Sequence, residues 1–413
     1  MARTPARARK ETPKIIAWKL HEPHDAALQI LGAIKPVTRL ESVALIDAAD
    51  RIVAREVKSP VTLPAYDTSE RDGYAVASGD VAKVGVRLAC IGEATAGAPF
   101  NGSIRRGQCV RIATGALIPK GADAVVMFED SRASKDGRVE FSRLASKRQW
   151  IARAGHDVRK GAVILKAGDV ITPAQIALAS ACGLGAVPVR ARPKALVFTT
   201  GNEVKQPGQM LAPGDVYDGN TSAIAALLKR HNIDVTACPT VRDTEHTMTV
   251  KLRESAKRYD IIVFTGGTSV GDKDFGRRAL DACGRTLVHG VNIKPGKPLL
   301  FGTVRRCLVF GLPGFPTSSL ALAYHFVVPA ALKLAGYEDV VEPRVEGVLT
   351  EALNPDPSKL TIVPVVIDGD GRVAGAFKGS AAISSVGMAS GMVEIEAGSP
   401  PPKAGDIVAV RLF

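Results

Sequence analysis

From Ala191 onward, apolar strand-like runs alternate with segments of helical periodicity, and this alternation is the feature that most constrains the fold. The runs ALVFTT, DIIVFTGG and CLVFGLPG have the composition of buried strands. Helices are predicted from Thr221 to Arg230, near Glu245–Tyr259, and from Pro316 to about Leu334. Strands that alternate with helices of about 10–15 residues form a mostly parallel sheet covered on both faces. The sequence therefore predicts a doubly wound α/β domain.

Polar and glycine-rich stretches follow three of these strands: TTGNE, TGGTSVGDKD and LPGFPTSS. In parallel sheets, ligands bind in the loops beyond the carboxyl ends of the strands. We therefore expect a binding site at one edge of this sheet. Asn220 or Thr221 is the expected N-cap of the first helix, because both residue types suit that position.

The rest of the chain is predicted to be rich in short strands. Runs such as VGVRLACIG, CVRIAT and AVVMFED, and later RVEGVLT, LTIVPVVI and IVAVRLF, are separated by turn clusters. Helices are expected in ALQILGAI, in SVALIDAADRIVA and from Pro173 to Ala181. The predicted division is a flexible basic tail at 1–18, an N-terminal linking domain formed by 19–58 with 150–190, an inserted β-rich domain at 59–149, the α/β domain at 191–338 and a C-terminal β domain at 339–413.

Net charge and cysteine usage exclude some classes of protein. Lys and Arg exceed Asp and Glu by 54 to 41, a net charge of +13, which attracts either nucleic acid or small oxyanions. The basic residues are not concentrated in one run apart from the tail, and charge alone does not choose between these partners. No nucleic-acid partner is expected, and nucleic-acid binding through the basic surface and tail is kept as a third, weaker hypothesis. Six scattered cysteines without CxxC spacing predict reduced thiols of a cytoplasmic protein. No apolar run approaches the ~18 residues of a membrane span, and no membrane partner is expected.

TGGTSVGDKD is the most informative stretch. Gly266 and Gly267 allow backbone N–H groups to approach a ligand, and the Thr268 and Ser269 hydroxyls add donors for phosphate or another oxyanion. The aspartates at 272 and 274 can hold a hard cation such as Mg²⁺. The alternative is a plain strand-to-helix turn with solvated aspartates.

Two further segments carry groups suited to anions. NIKPGKP places Lys294 and Lys297 on a rigid turn, and the alternative is an exposed basic turn. LPGFPTSS places Thr317 and Ser318 at a helix start, where ordinary capping is the alternative.

Other polar motifs are individually weaker. Glu203 in TGNE and Asp243 in VRD are carboxylates in loops, which are often only solvated. YDTSERDGYA and RIATGALIPKGAD are compatible with simple hairpin turns. No histidine or cysteine spacing suits a zinc site, and no Ser-His-Asp arrangement is evident.

The ordered set of motifs resembles the molybdenum insertase family, which comprises the MoeA-type enzymes and the E domain of gephyrin. The matching pieces are LPAYDTSERDGYAV, VRIATGALIPKGADAVVMFED, GHDVRKGAVIL, TTGNEV, TGGTSVGDKD, NIKPGKP, GLPGFPTSS and, weakly, FKGSAAISS. They cover about residues 25–400 in family order.

The resemblance implies a multidomain α/β plus β fold. A central MogA-like domain would bind molybdopterin, with a β-rich inserted domain and a C-terminal β-barrel-like domain beside it. It also implies a cytoplasmic homodimer in molybdenum cofactor biosynthesis. The implied reaction is Mg²⁺-dependent hydrolysis of adenylyl-molybdopterin, coupled to insertion of molybdate into the dithiolene. A pterin adenylyltransferase and an apo-molybdoenzyme are the implied protein partners.

The resemblance also assigns roles to particular residues. The implied catalytic carboxylates are Asp67, Asp157, Glu203, Asp243 and Asp274, of which Glu203, Asp243 and Asp274 would hold the metal. The implied cofactor-binding residues are Ser69, Asp72, Thr114, Gly266, Gly267, Ser269, Lys294, Lys297, Pro313, Pro316, Ser318, Lys378 and Ser380.

Several positions depart from the family pattern, and they motivate a second hypothesis. The departures are Arg71, Ala152, His156, Asn202, Gly290, Phe315 and Lys378. Losing an arginine at 152 and a basic residue at 290 removes anion contacts, for which Arg71 and Lys378 are candidate replacements. The alternative function is therefore a non-catalytic protein that binds, delivers or scaffolds the molybdenum cofactor.

Overall fold

The computed structural model describes residues 20–268, 274–338 and 343–413 of the chain. The chain divides into two compact units. The inserted unit is Leu40–Val189, and the main unit comprises Met1–Arg39 with Arg190–Phe413.

The first elements, in chain order, are helix α1 and the elements of the inserted unit. Helix α1 spans Pro23–Gly32, as ALQILGAI predicts, and α2 spans Pro173–Ala181. The strands are β1 Leu40–Ala44, β2 Val57–Lys58, β3 Thr68–Ser69, β4 Gly73–Val76, β5 Val86–Ala94, β6 Gln108–Ile112, β7 Ala124–Met127, β8 Ser131–Ala133, β9 Arg138–Phe141, β10 Ile151–Ala152, β11 Val163–Leu165 and β12 Ala186–Arg190.

A six-stranded sheet of order β7-β4-β6-β5-β9-β8 forms the body of the inserted unit. Strands β5 and β6 are parallel and the other pairs are antiparallel. Its alternating side chains bury Val76 and Phe141 on one face and Ala75 and Val110 on the other. The predicted β-rich inserted domain is confirmed.

The prediction of a helix in SVALIDAADRIVA is wrong. That segment forms β1, a short 3₁₀ turn at Leu45–Asp47 and isolated bridges from Ile52 and Val53. Its apolar side chains are buried against strands more than a hundred residues away in sequence, so tertiary pairing overrides the local helical period. The left-handed φ of 58° at Asp50 also interrupts any helix.

The prediction of α2 is confirmed because its start carries local signals. Thr172 accepts from the Gln175 backbone N–H at 3.2 Å, and the Gln175 side chain accepts from the Thr172 N–H at 2.9 Å. Thr172 and Gln175 form a reciprocal capping box. Pro173, between them, is the first helical residue, where the missing N–H of a proline breaks no helical hydrogen bond.

The remaining elements belong to the main unit. Its helices are α3 Asn220–Arg230, α4 Glu245–Ser255, α5 Phe275–Cys283, α6 Pro316–Leu322, α7 Val328–Ala335 and α8 Ser384–Gly387. Its strands are β13 Lys194–Thr199, β14 Val204–Lys205, β15 Val216–Tyr217, β16 Asp234–Ala237, β17 Ile261–Thr265, β18 Arg285–His289, β19 Ile293–Lys294, β20 Leu300–Val304, β21 Cys307–Leu312, β22 Arg344–Leu349, β23 Leu360–Ile367, β24 Arg372–Gly375, β25 Gly391–Ile395 and β26 Ile407–Leu412.

The central sheet has the order β16-β13-β17-β21-β20-β18. The first four strands are parallel, and β20 and β18 form an antiparallel edge. Successive side chains point to opposite faces, so Val197 and Val263 pack with α3, α6 and α7, whereas Phe198 and Phe264 pack with α4 and α5. The predicted doubly wound α/β domain is confirmed.

Two helix boundaries differ from the prediction. Gly219 is the N-cap of α3, so Asn220 lies inside the first helical turn. Helix α4 ends at Ser255 rather than near Tyr259, because the Arg258 and Tyr259 N–H groups both donate to the Ser255 carbonyl and close a turn.

The predicted long apolar helix after Pro316 consists of α6, a π-helical turn at Ala323–Val327, and α7. By length and composition alone, Pro316–Ala335 could cross a membrane, but 67% of its most apolar window is buried in the protein. A helix buried in this way is the core helix of a globular domain, since a membrane span exposes its apolar side chains to lipid.

The C-terminal strands close into a ring. Pairings run β23-β24-β22-β26-β25 and back to β23, and β19 adds to β23 from outside the ring. Val365, Val373, Val393 and Val410 fill the interior. The predicted β-barrel-like C-terminal domain is confirmed.

Candidate functional site

Three of the predicted motifs lie side by side at the carboxyl edge of the central sheet. Thr199 is in register with Thr265 on the neighbouring strand, and Thr265 with Leu312 on the next. The Thr200 N–H donates to the Thr265 carbonyl at 2.8 Å, and the Gly266 N–H donates to the Leu312 carbonyl at 3.0 Å. The loops that follow β13, β17 and β21 therefore form one continuous polar edge, which we call the strand-end site.

The glycines of TGGTSVGDKD are required by close packing. Gly266 has a φ of 89°, and a Cβ there would lie 2.4 Å from the Thr200 carbonyl oxygen. Gly267 has a φ of 64°, and its Cβ would lie 3.3 Å from Asp243 Oδ1. The Thr200 hydroxyl donates to this same Asp243 oxygen at 3.0 Å. The structure thus brings Asp243 against the glycine pair.

Asp274 begins α5 and is buried, with 8% of its surface exposed. Its Oδ1 accepts from the Arg277 N–H at 3.3 Å, and its Oδ2 lies 3.2 Å from His289 Nε2. The Nδ1 atom of His289 lies 3.3 Å from the Arg277 guanidinium. Sequence reasoning missed His289 as a neighbour of Asp274, because no spacing pattern links a helix start to the end of β18.

A buried hydroxyl and carboxylate network supports the same edge, and sequence reasoning missed it. Asp218 accepts from the hydroxyls of Thr199 at 2.9 Å and Thr221 at 2.6 Å, and from the Thr221 N–H at 3.0 Å. The Thr199 hydroxyl also lies 2.9 Å from that of Thr265. The one available signal was an aspartate just before a predicted helix, which a capping role explains equally well.

Asn220 connects this network to the loop after β21. Its amide nitrogen donates to the Gly314 carbonyl at 2.8 Å and to the Thr265 hydroxyl at 3.3 Å. Its Oδ1 is buried and has no hydrogen-bond partner in the part of the chain that the structure describes. A ligand donor at the strand-end site would satisfy this acceptor, since buried polar atoms are rarely left unpaired.

The predicted lysines lie on one turn beside α6. Lys294 ends β19, and both Lys294 and Lys297 are exposed. Between them Gly296 has a φ of 119°, and a Cβ there would meet Leu322 Cγ at 2.7 Å. This packing holds the turn that carries both ammonium groups. Glu203 is also exposed, in the loop that leads to β14.

The start of α6 is joined to the C-terminal segment. The Thr317 N–H donates to the Ser380 carbonyl at 3.3 Å, and its hydroxyl donates to the Ala382 carbonyl at 2.9 Å. Ser318 is buried on the same turn. Pro313 and Pro316 flank the loop, whose Phe315 side chain is 58% exposed. The alternative interpretation of these hydroxyls, ordinary capping, does not hold, because Phe315 is the N-cap and the Thr317 hydroxyl bonds the C-terminal segment.

Lys378 belongs to that C-terminal segment. Its N–H donates to Ser385 Oγ at 2.8 Å, which holds the backbone while the side chain is exposed. The predicted cofactor-binding residues Ser318, Lys378 and Ser380 therefore come from two chain segments that contact each other.

In the inserted unit, the structure brings Asp72 and Thr114 together. Asp72 Oδ1 accepts from the Thr114 N–H at 2.7 Å and from its hydroxyl at 3.0 Å. These bonds, the backbone one foremost, lower the pKa of the exposed Asp72 carboxyl. Ser69 is buried, and its hydroxyl donates to the Arg71 carbonyl at 2.6 Å.

Asp67 and the loop before Asp157 are also neighbours. Asp67 Oδ1 accepts from the Ala154 N–H at 2.9 Å. An open cavity of about 760 Å³ is lined there by Arg153, His156 and Asp157, among others. The Arg71 guanidinium lies 4.9 Å above the Trp150 ring, a cation–π contact that holds this family departure in place.

The residues predicted to hold a metal are Glu203, Asp243 and Asp274. Within residues 20–268, 274–338 and 343–413, no three His, Cys, Asp or Glu side chains are close enough to hold one ion. Ser269 and Asp272 lie outside the described residues. Mg²⁺ is commonly held by one or two carboxylates with substrate phosphates, so Asp243 and Asp274 fit such an ion, and the metal assignment stays a prediction.

Three family models match consecutive parts of the chain. They are the MoeA N-terminal region (domain I and II) at residues 22–183, a probable molybdopterin binding domain at 196–333, and the MoeA C-terminal region (domain IV) at 346–413.

Individual relatives match across most of the chain. It is 35% identical to a molybdopterin molybdenumtransferase of Haemophilus influenzae over 74% of this chain and 76% of that protein. It is 30% identical to the Bacillus subtilis protein of the same name over 95% and 94% of the two chains. A crystal structure of a molybdopterin biosynthesis MoeA protein from Pyrococcus horikoshii superposes with a TM-score of 0.83 at 31% identity, covering 95% of this chain and 99% of that one.

Proposed function

The chain belongs to the molybdopterin molybdenumtransferase (MoeA) family, and from this premise we propose that it inserts molybdenum into adenylyl-molybdopterin with Mg²⁺-dependent release of AMP. It is a transferase of molybdenum cofactor biosynthesis. The observation that carries the proposal is the strand-end site, where the glycine pair, Asp243 and the buried Asn220 meet at one sheet edge.

The phosphate end of the substrate suits the loop after β17. Gly266 uses its N–H in the bond to the Leu312 carbonyl, so the phosphate would contact the N–H groups that follow it, beginning with Gly267, because a left-handed glycine in a loop can expose its N–H to an anion. Ser269 would add a hydroxyl. Asn220 Oδ1 would accept a hydrogen bond from the ligand, such as an N–H of the pterin.

The carboxylates would hold the metal and orient water. Asp243 accepts from the Thr200 hydroxyl, and Asp274 accepts from the Arg277 N–H with His289 Nε2 3.2 Å away. Glu203, on an exposed loop, can join them when substrate binds. A bound Mg²⁺ would neutralise charge on the phosphate oxygens during cleavage of the phosphoanhydride.

Molybdate and the remaining phosphate charge would be bound by cations and hydroxyls. Lys294 and Lys297 supply two ammonium groups from one packed turn. Ser318, Lys378 and Ser380 come from the joined segments at the start of α6, and Pro313 and Pro316 restrict the loop before it. We expect the purified protein to lose molybdate retention when either lysine is replaced by glutamine.

On the inserted unit, the proposed catalytic residues are Asp67 and Asp157, with Ser69, Asp72 and Thr114 as cofactor-binding residues. Their grouping around the Asp72–Thr114 and Asp67–Ala154 hydrogen bonds supports a shared role. We also propose that the protein acts as a cytoplasmic homodimer that receives substrate from a pterin adenylyltransferase and delivers to an apo-molybdoenzyme.

The test is AMP release from adenylyl-molybdopterin by the purified protein with Mg²⁺, with and without molybdate. We expect molybdate to stimulate release and Asp274→Asn to abolish it. Asp234→Asn is the matched control, because Asp234 is an exposed carboxylate at the other end of the parallel strands and should leave release unchanged.

Tight pterin binding without release, in the native protein as in Asp274→Asn, would favour the carrier or scaffold function instead. The observation behind that alternative is the loss of family charges at Ala152 and Gly290. Failure of both binding and release would remove both proposals.

A further inference from the structure

A second cavity, of about 560 Å³, lies in the main unit at the amino ends of β17 and β21. The cations that line it are Lys35, Arg39, Arg285, Arg305 and Arg306, and Asp260 is the lining carboxylate. We call it the cationic cavity. Parallel strands share their amino ends at one edge of a sheet, so this cavity lies at the edge opposite the strand-end site.

Asp260 neutralises one of these cations. The two Arg39 η-nitrogens donate to its two oxygens at 2.9 and 2.6 Å, and the Lys194 N–H adds a third bond at 2.7 Å. The hydrogen bond to Asp260 raises the pKa of Arg39. In the described part of the chain, no carboxylate forms an ion pair with the other four, Lys35, Arg285, Arg305 and Arg306.

One carboxylate outside the cavity, that of Glu254, interacts electrostatically with a cation that lines it. The pKa of the exposed Glu254 carboxyl is lowered mainly by its hydrogen bond to Lys257 and, less, by Arg305. Glu254 forms its hydrogen bond with Lys257 at 2.6 Å and does not line the cavity, and Arg305 is the weakest of the cations that act on it. The cavity therefore keeps an excess of four positive charges.

The turn between β20 and β21 carries two of these cations. Val304 pairs with Cys307, so Arg305 and Arg306 form a two-residue hairpin turn. Arg305 has a φ of 57°, a left-handed conformation that glycine or asparagine adopts at lower cost. A two-residue hairpin turn requires such a φ, and this turn places both guanidinium side chains at the cavity.

Apolar side chains form the other wall. Arg285, Thr303 and Leu308 occupy one row across β18, β20 and β21, and Leu287 lies two residues further along β18. Leu334 of α7 also lines the cavity, and its carbonyl accepts from the Val37 N–H at 2.8 Å, which anchors the segment that carries Lys35. Leu308 and Leu334 are buried, so the apolar side chains that this wall offers to a ligand are the half-buried Leu287 and the exposed Pro36.

We propose that the cationic cavity binds a nucleoside polyphosphate. The phosphates would contact Arg285, Arg305 and Arg306, since guanidinium groups bind phosphate oxygens through paired N–H donors. The base would lie against Leu287 and Pro36. The volume is within the roughly 300–1,000 Å³ of small-molecule sites, which favours a nucleotide over an extended acidic peptide.

The test is titration calorimetry of the full chain with ATP and, separately, inorganic tripolyphosphate. Arg305→Gly removes the cation and relaxes the turn, so the variant should fold while binding ATP about tenfold to a hundredfold more weakly. Arg106→Gln is the matched control, because the Arg106 side chain is 98% exposed on the inserted unit. The ATP affinity of this variant should equal that of the native chain.

A Lys294→Gln variant separates this cavity from the proposed molybdopterin site, to which Lys294 contributes an ammonium group. ATP affinity that is kept in Lys294→Gln and lost in Arg305→Gly supports the proposal. The reverse pattern places ATP at the proposed molybdopterin site and overturns the proposal, as does absence of ATP binding by the native chain. Equal affinity for tripolyphosphate and ATP would overturn the nucleoside part, because the apolar wall would then contribute nothing.

Discussion

At the residue scale, the hydrogen bonds of one carboxylate predict a pH effect. The folded-state pKa of Asp72 lies below its ordinary value of 3.8, with the Thr114 backbone bond as the largest cause. A lowered folded pKa means that the bonds stabilise the fold above the unfolded pKa. This contribution is lost as pH falls through the folded pKa.

Replacing Thr114 by valine should raise the pKa of Asp72 towards 3.8 without reaching it. The substitution removes the hydroxyl donor, but the backbone N–H donor remains. Carboxyl chemical shifts followed by NMR across the acid range would measure this change. Asp356 is an internal reference, since the Ser358 and Lys359 bonds that lower its pKa to about 2 are untouched. An unchanged Asp72 pKa would contradict the assigned hydroxyl bond.

The glycine pair predicts a second effect at this scale. Gly266→Ala should destabilise the protein by about 1–3 kcal/mol, because its φ of 89° strains an L-residue and its Cβ would meet the Thr200 carbonyl at 2.4 Å. Gly314→Ala is the control, since the nearest atom to its Cβ, in Gly266, lies 3.9 Å away. Urea unfolding of both variants measures the difference. Equal urea midpoints would mean that the loop accommodates the Gly266→Ala methyl group without loss of stability.

At the element scale, the joint between α6 and the C-terminal segment depends on Thr317. This residue is fully buried, and its hydroxyl donates to the Ala382 carbonyl at 2.9 Å. Thr317→Val preserves shape but removes the donor, so it should cost about 1 kcal/mol and speed hydrogen exchange near Ser380. Thr249→Val, which loses an exposed bond to the Glu245 carbonyl within α4, should leave exchange near Ser380 unaltered. Unaltered exchange in Thr317→Val would show that the joint does not need this bond.

The sequence predicted a helix correctly where neighbouring residues carry the signals for it. The Thr172–Gln175 capping box and the apolar period fix α2 within the predicted bounds. The segment SVALIDAADRIVA has an equally helical period, yet Leu45 and Val53 pair with residues of the 165–189 region instead. Local periodicity could not reveal that partner, because the competing contacts are distant in sequence.

At the scale of the whole molecule, the family relationship predicts a homodimer. Sedimentation of the purified chain should give a mass of about twice 43.4 kDa. A single species at the monomer mass at micromolar concentration would contradict the proposal. Repeating the run at high salt is the control, because an interface held mainly by exposed ion pairs would weaken, whereas an apolar one would not.

The five-part division of the chain stays a prediction at this scale. The structure resolves two compact units, with the inserted unit at Leu40–Val189. The sheets within each unit confirm the α/β and β character that the sequence predicts.

The sequence by itself determined the α/β core, the β-rich insert and the three motifs at the carboxyl ends of strands. Alternation of apolar runs and the turn residues that follow them are local properties, so strand ends can be located without knowing what they contact. Parallel topology then brings Glu203, Gly266 and Pro313 to one edge.

Only the tertiary structure decided which groups support that edge. Asp218 meets Thr199 across 19 residues of sequence, and Thr199 meets Thr265 across 66. His289, at the end of β18, lies beside Asp274, at the start of α5. The cations of the cationic cavity come from the segment that follows α1, from β18 and from a hairpin turn. Such contacts depend on strand order and register, which the pattern of single residues does not encode.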